Sequence, residues 1–322
     1  MKKKAIGQII ACSIVGVLLA GTLALLIGVL PKVDVIEPIR TAMQTVTDTI
    51  KRLPQVRFEP SISVGGESTD GYAKGNGVYD TVPEKLQIDW ATGRIVIRVT
   101  DGQQVRLTEW AGNVNPDTAA AGTIDERYSM RHRSSGSVLK VQEFRSGMTL
   151  PDPEVRSKTL LVELPKAALK TLSIDAATVD LVLEGIDADT FDLDLATGTL
   201  AVSACTFQKA KMDIATANGS FDSCTIEDID LDSAMAELTF DLLNAPKRID
   251  ADAATGQYRF MLPMEASFTV KASKIAGKVS VDGFDIASTS SDRVVVGDGA
   301  ASYRFDIATG TISIEARTGN RF

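Results

Sequence analysis

The stretch FDLDLATGTLAVSACTF, residues 191–207, is followed by a second stretch of the same pattern, MDIATANGSFDSCTI, residues 212–226. In both, an Asp is followed by Ala-Thr two and three positions later and by a Cys eleven positions later. The second copy repeats the first at a spacing of nineteen, from Asp194 to Asp213. A fixed period of about 20 residues is typical of solenoid proteins, in which short strand-and-turn units stack on one another.

The same unit continues on both sides of these two copies. The repeat aspartate recurs at three successive spacings of nineteen and then one of twenty, and the motif returns once more near the C-terminus. The aspartates are Asp175, Asp194, Asp213, Asp232, Asp252 and Asp306. Apolar residues alternate with polar ones around each Asp, which is the period of a β-strand. The position eleven after the Asp holds Ile186, Cys205, Cys224 and Leu243.

These patterns predict an all-β fold, a parallel β-helix-like solenoid with coils of about 19 residues. A coil of that length holds two or three short strands joined by tight turns, and equivalent strands of neighbouring coils lie ~4.8 Å apart. A sandwich of hairpins is the alternative, but it does not require such constant spacing. The solenoid is therefore the fold that we expect.

Stacking places the repeat aspartates in one column of like charges, which needs compensation. The Ala-Thr-Gly that follows many of them is typical of a turn, so we expect each Asp to accept backbone N–H groups there. A column of calcium ions and simple solvation are the alternatives. The known calcium-binding β-helix repeat, Gly-Gly-x-Gly-x-Asp, is absent from this sequence. Turn capping is the predicted role.

Cys205 and Cys224 occupy the same position of neighbouring coils. Equivalent Cα atoms ~4.8 Å apart are within the range of a disulfide. Buried free thiols that act as small apolar side chains are the other interpretation. Both interpretations are structural, and neither makes the cysteines catalytic.

The N-terminus predicts a membrane anchor. Three lysines precede an uncharged run from Ala5 to Leu30, which is long enough to span a bilayer. The lysines place the N-terminus in the cytoplasm and the rest of the chain outside it. Residues 1–31 are therefore predicted to be a cytoplasmic tip and a single transmembrane helix; a cleaved signal peptide is the alternative. The predicted location is the cell membrane, with an extracytoplasmic C-terminal domain.

Three further regions follow the anchor. Residues 32–53 carry apolar residues at heptad spacing and predict a short amphipathic helical stalk, with self-association through residues 36–53 as one option. Residues 54–85 are rich in Gly and Ser and predict a flexible linker. Residues 86–322 are the predicted β-solenoid ectodomain, in which the repeats are clearest over residues 168–316.

The start of this ectodomain has a separate pattern. Alternating apolar residues at 95–107 surround Asp101 and Gly102, which predicts a β-hairpin. Trp90 and Trp110 flank the hairpin, and we expect them to cap the open N-terminal end of the core.

Composition excludes several functions. Formal net charge is −8, and the first thirty residues contain only basic charges, so the rest of the chain carries −11. Such a balance disfavours nucleic acid and anionic lipid surfaces as partners. The single histidine, His132, lies in a basic polar segment and is expected to be solvated. No catalytic, cofactor-binding or metal-ligating set is predicted, and no cofactor is expected.

The chain resembles a bacterial adhesin-like family of β-strand-repeat proteins, domain of unknown function 4097. The resemblance rests on LQIDWATGRIVIRVTDGQQVRLTEWAG at 86–112 and KTLLVELPKAALKTLSIDAATVDLVLEG at 158–185. It continues through the serial D-x-A-T-G units to YRFDIATGTISIEA at 303–316. It implies a membrane-anchored surface protein with roles in adhesion or envelope stress, and it carries no catalytic residues.

Three functional classes follow from these features. The first is a non-enzymatic surface protein that binds or scaffolds at the cell envelope, with an envelope protein or a glycan as ligand. The second is an envelope-stress sensor that acts through a membrane partner. The third, a polysaccharide-active β-helix enzyme, requires sugar-stacking aromatic rings, and the repeat region contains no Trp. We expect the first class.

Overall fold

A computed structural model describes residues 71–120, 124, 126, 128–143, 157–290 and 292–317. The chain divides into two units, residues 1–63 and 64–322, and every described residue belongs to the second. The predicted membrane span, the stalk and residues 54–70 of the predicted linker lie outside the described residues. Within the described ranges, no helix has the length and apolar character needed to cross a bilayer.

Fifteen strands form one sheet in the described part of the chain. They are β1 (Ala73–Lys74), β2 (Gly77–Tyr79), β3 (Lys85–Thr100), β4 (Val105–Ala111), β5 (Arg131–Ser135), β6 (Val138–Gln142), β7 (Lys158–Pro165), β8 (Leu169–Glu184), β9 (Asp187–Ser203), β10 (Thr206–Leu242), β11 (Arg248–Leu262), β12 (Phe268–Asp282), β13 (Ile286–Thr289), β14 (Arg293–Val296) and β15 (Ala301–Ala316). No α-helix occurs among these residues. The all-β prediction is confirmed.

Seven long strands lie side by side in parallel, in the order β3, β8, β9, β10, β11, β15 and β12. Repeat positions are in register: Asp175 lies beside Asp194, and Asp194 lies beside Asp213. Strand β10 is 37 residues long and makes two successive coils. The strands therefore form the stacked, in-register coils that the constant spacing of the repeat predicts.

Each coil bends because its inward-outward alternation is interrupted once. In β8 the inward side chains are Leu172, Ile174 and Ala176 before the bend, and Val179, Leu181 and Leu183 after it. The two residues between these sets, Ala177 and Thr178, both face outward, and Ala177 is skipped in the pairing with β9. We call the part before this corner the first arm and the part after it the second arm. Both arms direct their apolar residues into one core.

The core contains columns of identical side chains. In the second arm, the rings of Phe221 and Phe240 have centroids 4.6 Å apart, and those of Phe240 and Phe260 are 4.8 Å apart. The parallel register spaces equivalent residues at the separation of stacked rings. Ring stacking thus follows directly from repeating Phe at one position of the unit.

The prediction of a β-hairpin at residues 95–107 is wrong. Asp101 and Gly102 do connect β3 to β4, but these two strands do not pair with each other. Strand β7 lies between them, parallel to β3 and antiparallel to β4. Its apolar residues, such as Leu160 and Val162, are fully buried, so β7 completes the core that a hairpin alone leaves open.

The predicted linker at residues 54–85 is too long at its C-terminal end. From residue 71 the chain is folded onto the domain: β1 pairs with β5, and β2 pairs with β4. Such short strands are hard to recognise from alternation. The folded domain therefore begins before residue 86.

Two features near the C-terminus also differ from expectation. Strand β15 lies between β11 and β12, so the spatial order of the coils is not their chain order.

The repeat predicts that Leu243 points inward with Ile186 and the two cysteines, yet Leu243 is 50% exposed. The coil at this point has one extra residue, Leu242 is buried instead, and the side chain of Asn244 bonds the backbone N–H and C=O of Ile226.

Candidate functional site

The repeat aspartates form a column on the outer surface of the first arm. The in-register pairs are Asp89–Asp175, Asp175–Asp194, Asp194–Asp213, Asp232–Asp252 and Asp252–Asp306. Asp213 and Asp232 also interact through their side chains. The column therefore runs through six consecutive strands and ends at Ser273 of β12. Sequence reasoning missed Asp89 as a member, although its own Asp-Trp-Ala-Thr-Gly matches the repeat.

Burial and the charges of neighbouring carboxylates raise the pKa values of several of these carboxyl groups. Burial, followed by the charges of Asp213, Asp252 and Asp230, raises the pKa of Asp232 to about 6. Burial and the charge of Asp213 also raise the pKa of Asp194. Burial and Asp306 do the same for the pKa of Asp252. Each shift disfavours the charged form, as expected for partly buried carboxylates with like charges at strand spacing.

A second outer column, two positions earlier in each strand, contains both acidic groups, Asp192, Asp230 and Asp250, and basic groups, Lys211 and Arg304. Lys211 Nζ lies 2.5 Å from an oxygen of Asp213 and 3.9 Å from one of Asp192. Arg304 pairs with Asp306 in its own strand and lies 3.7 Å from Asp250 in the next. The outer surface of the first arm is thus a mosaic of acidic and basic groups in two columns. We call it the first-arm face.

At the N-terminal end of the column, side chains of β6 bind Asp89. Gln142 Nε2 donates to Asp89 at 3.0 Å, and Lys140 lies 3.5 Å from the same carboxylate. Capping of the following turn by the repeat aspartates stays a prediction. Among the residues that the structure describes, no group of His, Cys, Asp and Glu side chains is arranged to hold a metal ion.

Cys205 and Cys224 are free, buried thiols in this structure. Their sulfurs donate to Ser203 O at 3.2 Å and to Asp222 O at 3.5 Å. The contact with the Cys224 thiol, together with burial, raises the pKa of Cys205. Both thiols thus pack as small core groups.

The residues before the two cysteines have unusual backbone conformations. Ala204 has φ of 52° and Ser223 has φ of 54°, in the left-handed region. The equivalent residue one coil earlier is Gly185, with φ of 69°. This column forms a corner at which the chain leaves the second arm.

A buried charged cluster lies at the N-terminal end of the stack. Lys158 Nζ bonds a carboxylate oxygen of Glu109 at 2.8 Å and Tyr128 O at 2.5 Å, and the Lys158 side chain is fully buried. The other oxygen of Glu109 accepts from Met130 N at 2.7 Å. Burial raises the pKa of Glu109, and the charge of Lys158 partly offsets that shift. Sequence reasoning missed this pair because the two residues are 49 positions apart.

A second carboxylate and the histidine belong to the same end. Glu143 accepts from Ala91 N and Thr92 N at 2.7 and 3.0 Å, where β3 turns its corner. The expectation that His132 is a solvated loop residue is wrong. It lies in β5, is 4% exposed, and its Nδ1 is 2.5 Å from Tyr79 Oη. Burial lowers the pKa of His132.

The two tryptophans lie on opposite sides of the sheet. Trp90 is fully buried in the main core, whereas Trp110 packs against Val96 and Leu161 on the outer side of the second arm. The indole N–H of Trp110 donates to Ala120 O at 3.2 Å. These contacts give both rings a structural role at the N-terminal end of the stack.

Solved structures of three bacterial proteins are similar to this chain. A “putative cell adhesion protein” from Clostridium sporogenes is 11% identical, with 76% of this chain and 100% of that chain covered and a TM-score of 0.31. A “putative adhesin” from Bacteroides fragilis is 9% identical, with coverages of 76% and 97% and a TM-score of 0.37. A “putative lipid binding protein” from Parabacteroides distasonis is also 9% identical, with the same coverages and a TM-score of 0.28. No curated protein matches the chain.

The family model described as Toastrack DUF4097 matches residues 59–315, which is most of the chain and includes all the strands from β1 to β14. Its start, at residue 59, agrees with a folded domain that begins before residue 86. The resemblance seen in the repeats is confirmed. The chain belongs to the Toastrack DUF4097 family.

Proposed function

We propose that this protein is a non-enzymatic adhesin of the bacterial cell envelope, anchored by one membrane span and binding its ligand with the β-solenoid. The observation that carries the proposal is the first-arm face. Its charged groups recur once per coil on a rigid, hydrogen-bonded sheet. A ligand with its own repeat can contact such a surface at many points, and multiple weak contacts add to a strong one.

Anchoring follows from the N-terminal segment, Met1 to Leu30. An uncharged run of this length after three lysines is inserted with the lysines in the cytoplasm. The solenoid then faces the outside of the cytoplasmic membrane. Envelope glycans and envelope proteins are the ligand classes available there.

The charges of the first-arm face favour a ligand that carries both cationic and hydrogen-bonding groups. Carboxylates such as Asp192 and Asp213 attract amines, and Lys211 beside them donates to an acidic or hydroxyl group of the ligand. The net charge of −11 outside the N-terminal segment opposes nucleic acid.

Localisation is tested first. The full chain is produced in bacteria, and cells whose outer layers are opened but whose cytoplasmic membrane is intact are treated with protease before fractionation. We expect the chain in the membrane fraction and its solenoid removed by external protease after the outer layers are opened. A matched variant, Val15→Arg with Leu19→Arg, interrupts the apolar run and should leave the membrane. A wild-type chain that stays in the soluble cytoplasmic fraction overturns the anchor.

Binding is tested second, with membranes that display the full chain and purified envelope glycans and proteins. Asp194→Asn and Asp213→Asn remove charge from the first-arm face without changing side-chain size. Glu237→Gln is the control, because Glu237 is exposed on the outer side of the second arm. Saturable binding that only the two Asp variants weaken supports the proposal. A co-purifying membrane protein without saturable ligand binding supports the stress-sensor alternative instead.

A further inference from the structure

The two ends of the stack are covered differently. At the N-terminal end, the first arm of β3 pairs with β6 and its second arm pairs with β7. At the C-terminal end, β14 covers only residues 268–271 of β12, in the first arm. Within the described residues, no strand pairs with the outer edge of the second arm of β12, residues 277–282.

This uncovered edge exposes part of the core. Val279 and Val281 are only partly buried, whereas their neighbours in β15, Ile312 and Ile314, are 2% and 0% exposed. An unpaired edge also leaves backbone N–H and C=O groups available for another strand. The terminal coil of a solenoid normally needs a cap for both reasons.

The sequence of the edge is self-complementary in one orientation only. Residues 278–282 read Lys-Val-Ser-Val-Asp, and Lys278 and Asp282 are both exposed. Two copies paired antiparallel about Ser280 place each Lys278 opposite the other copy's Asp282. Val279 of each copy then lies opposite Val281 of the other copy, on the side of the sheet that faces the core. Parallel pairing would instead place Lys beside Lys and Asp beside Asp, which opposes pairing.

We propose that the second arm of β12 is a homodimer interface, in which residues 278–282 of two copies pair antiparallel about a two-fold axis at Ser280. The same surface serves both copies, as a two-fold interface requires. The pairing covers Val279 and Val281 and makes one continuous sheet from the second arms of two solenoids. It uses a different part of the molecule from the first-arm face, so it does not depend on the proposed ligand binding.

Crosslinking tests this geometry directly. Opposite Cα atoms in an antiparallel pair are about 4.5–5.5 Å apart, which is within the range of a disulfide. In the full chain in detergent, with Cys12→Ser to remove the cysteine of the predicted span, S280C should form a covalent dimer under mild oxidation. The control is S313C, because Ser313 Oγ is 3.4 Å from Ser280 Oγ but lies one strand further in. The buried Cys205 and Cys224 are present in both variants.

Charge reversal tests the pairing chemistry in the S280C background. K278E alone, or D282K alone, places like charges opposite each other and should slow crosslinking about tenfold. The double variant K278E/D282K restores opposite charges and should recover the rate. E237K is the control for a change of net charge, since Glu237 is exposed in β10, away from this edge.

The outcome is decided by crosslinking and not by mass alone, because self-association through residues 36–53 is one of the options for the predicted stalk. The interface is supported if S280C forms the crosslink and S313C does not. In the S280C background, K278E or D282K alone must slow the crosslinking, and K278E/D282K together must restore its rate. Equal crosslinking of S280C and S313C overturns it. So does a rate that single reversal leaves unchanged.

Discussion

Phe240 and Phe260 stack nearly face to face one coil apart, with their ring planes within 6° of each other. Parallel in-register strands impose this arrangement, since equivalent side chains cannot move apart along the stack. Both rings are fully buried. Phe240 packs against a ring of the coil on each side, Phe221 and Phe260, so replacing this central ring should lower stability most.

Phe240→Ala should therefore lower the free energy of unfolding by about 3–5 kcal/mol, because it leaves a cavity between two rings. Phe240→Leu should cost less, since most of the volume is kept. Denaturant unfolding of the full chain in detergent, followed by tryptophan fluorescence, measures both. Met264→Ala is the control: Met264 is 64% exposed and its loss should change stability by less than about 0.5 kcal/mol. Equal effects of Phe240→Ala and Met264→Ala would contradict a packed column.

The corner before the cysteines allows a stabilising substitution. A non-glycine residue in the left-handed region costs roughly 1–2 kcal/mol, and glycine adopts it freely. Ala204→Gly and Ser223→Gly should thus raise the free energy of unfolding by about 0.5 kcal/mol each, after the extra entropy of unfolded glycine is subtracted.

The reverse change is the matched test. Gly185→Ala should lower the free energy of unfolding by about 1 kcal/mol. The whole cost comes from the left-handed backbone, because the added Cβ would lie at an ordinary contact distance of 3.7 Å from Val99. Thermal unfolding of the three variants and wild type gives the comparison. If Ala204→Gly and Gly185→Ala shift the midpoint in the same direction, the corner column does not control stability.

The buried pair of Lys158 and Glu109 should be strongly coupled. Lys158→Met leaves a buried carboxylate without its cation and should cost about 3–5 kcal/mol. Glu109→Gln with Lys158→Met removes both charges and keeps an oxygen that can accept from Met130 N. The double variant should be more stable than Lys158→Met alone. A double-mutant cycle in urea measures the coupling, and simple additivity would show that the two charges act independently.

The repeat region was predictable because its information is local. Each coil repeats the same spacing around an aspartate, so Asp194 beside Asp213 follows from counting residues. Pairings between strands that are distant in the sequence are not marked by any repeated spacing. Nothing periodic marks the insertion of β7 between β3 and β4, or of β15 between β11 and β12.

The candidate sites divide in the same way. The spacing of the repeat predicts the aspartate column of the first-arm face, but not the basic groups or the raised pKa values, which depend on burial and on side chains of neighbouring coils. Lys158 and Glu109 meet only because β7 pairs with β4. The neighbours of His132, Arg131 and Arg133, suggest a polar environment, yet Tyr79 from the predicted linker covers the ring.

Lowering the pH should increase the contribution of the aspartate column to the stability of the fold. Folding raises the pKa of Asp232 to about 6, above the ordinary value of 3.8. Between these two values the folded state binds more protons than the unfolded state, so this group's contribution falls as pH rises from about 4 to 6. At pH 7 the charged Asp232 is therefore destabilising, by about 1 kcal/mol once solvent screening of this half-exposed group is allowed for.

Asp232→Asn should accordingly stabilise the protein at pH 7 and have no such advantage at pH 4. The quantity to measure is the difference in free energy of unfolding between variant and wild type, in denaturant, at half-unit steps from pH 4 to 7.5. Using the difference cancels the titration of groups that both proteins share. Asp189→Asn is the control, because Asp189 is exposed outside the column and bonds only Gln208 in the described hydrogen bonds. A difference that does not change with pH, or that grows as pH falls, would show that folding does not raise the pKa of Asp232.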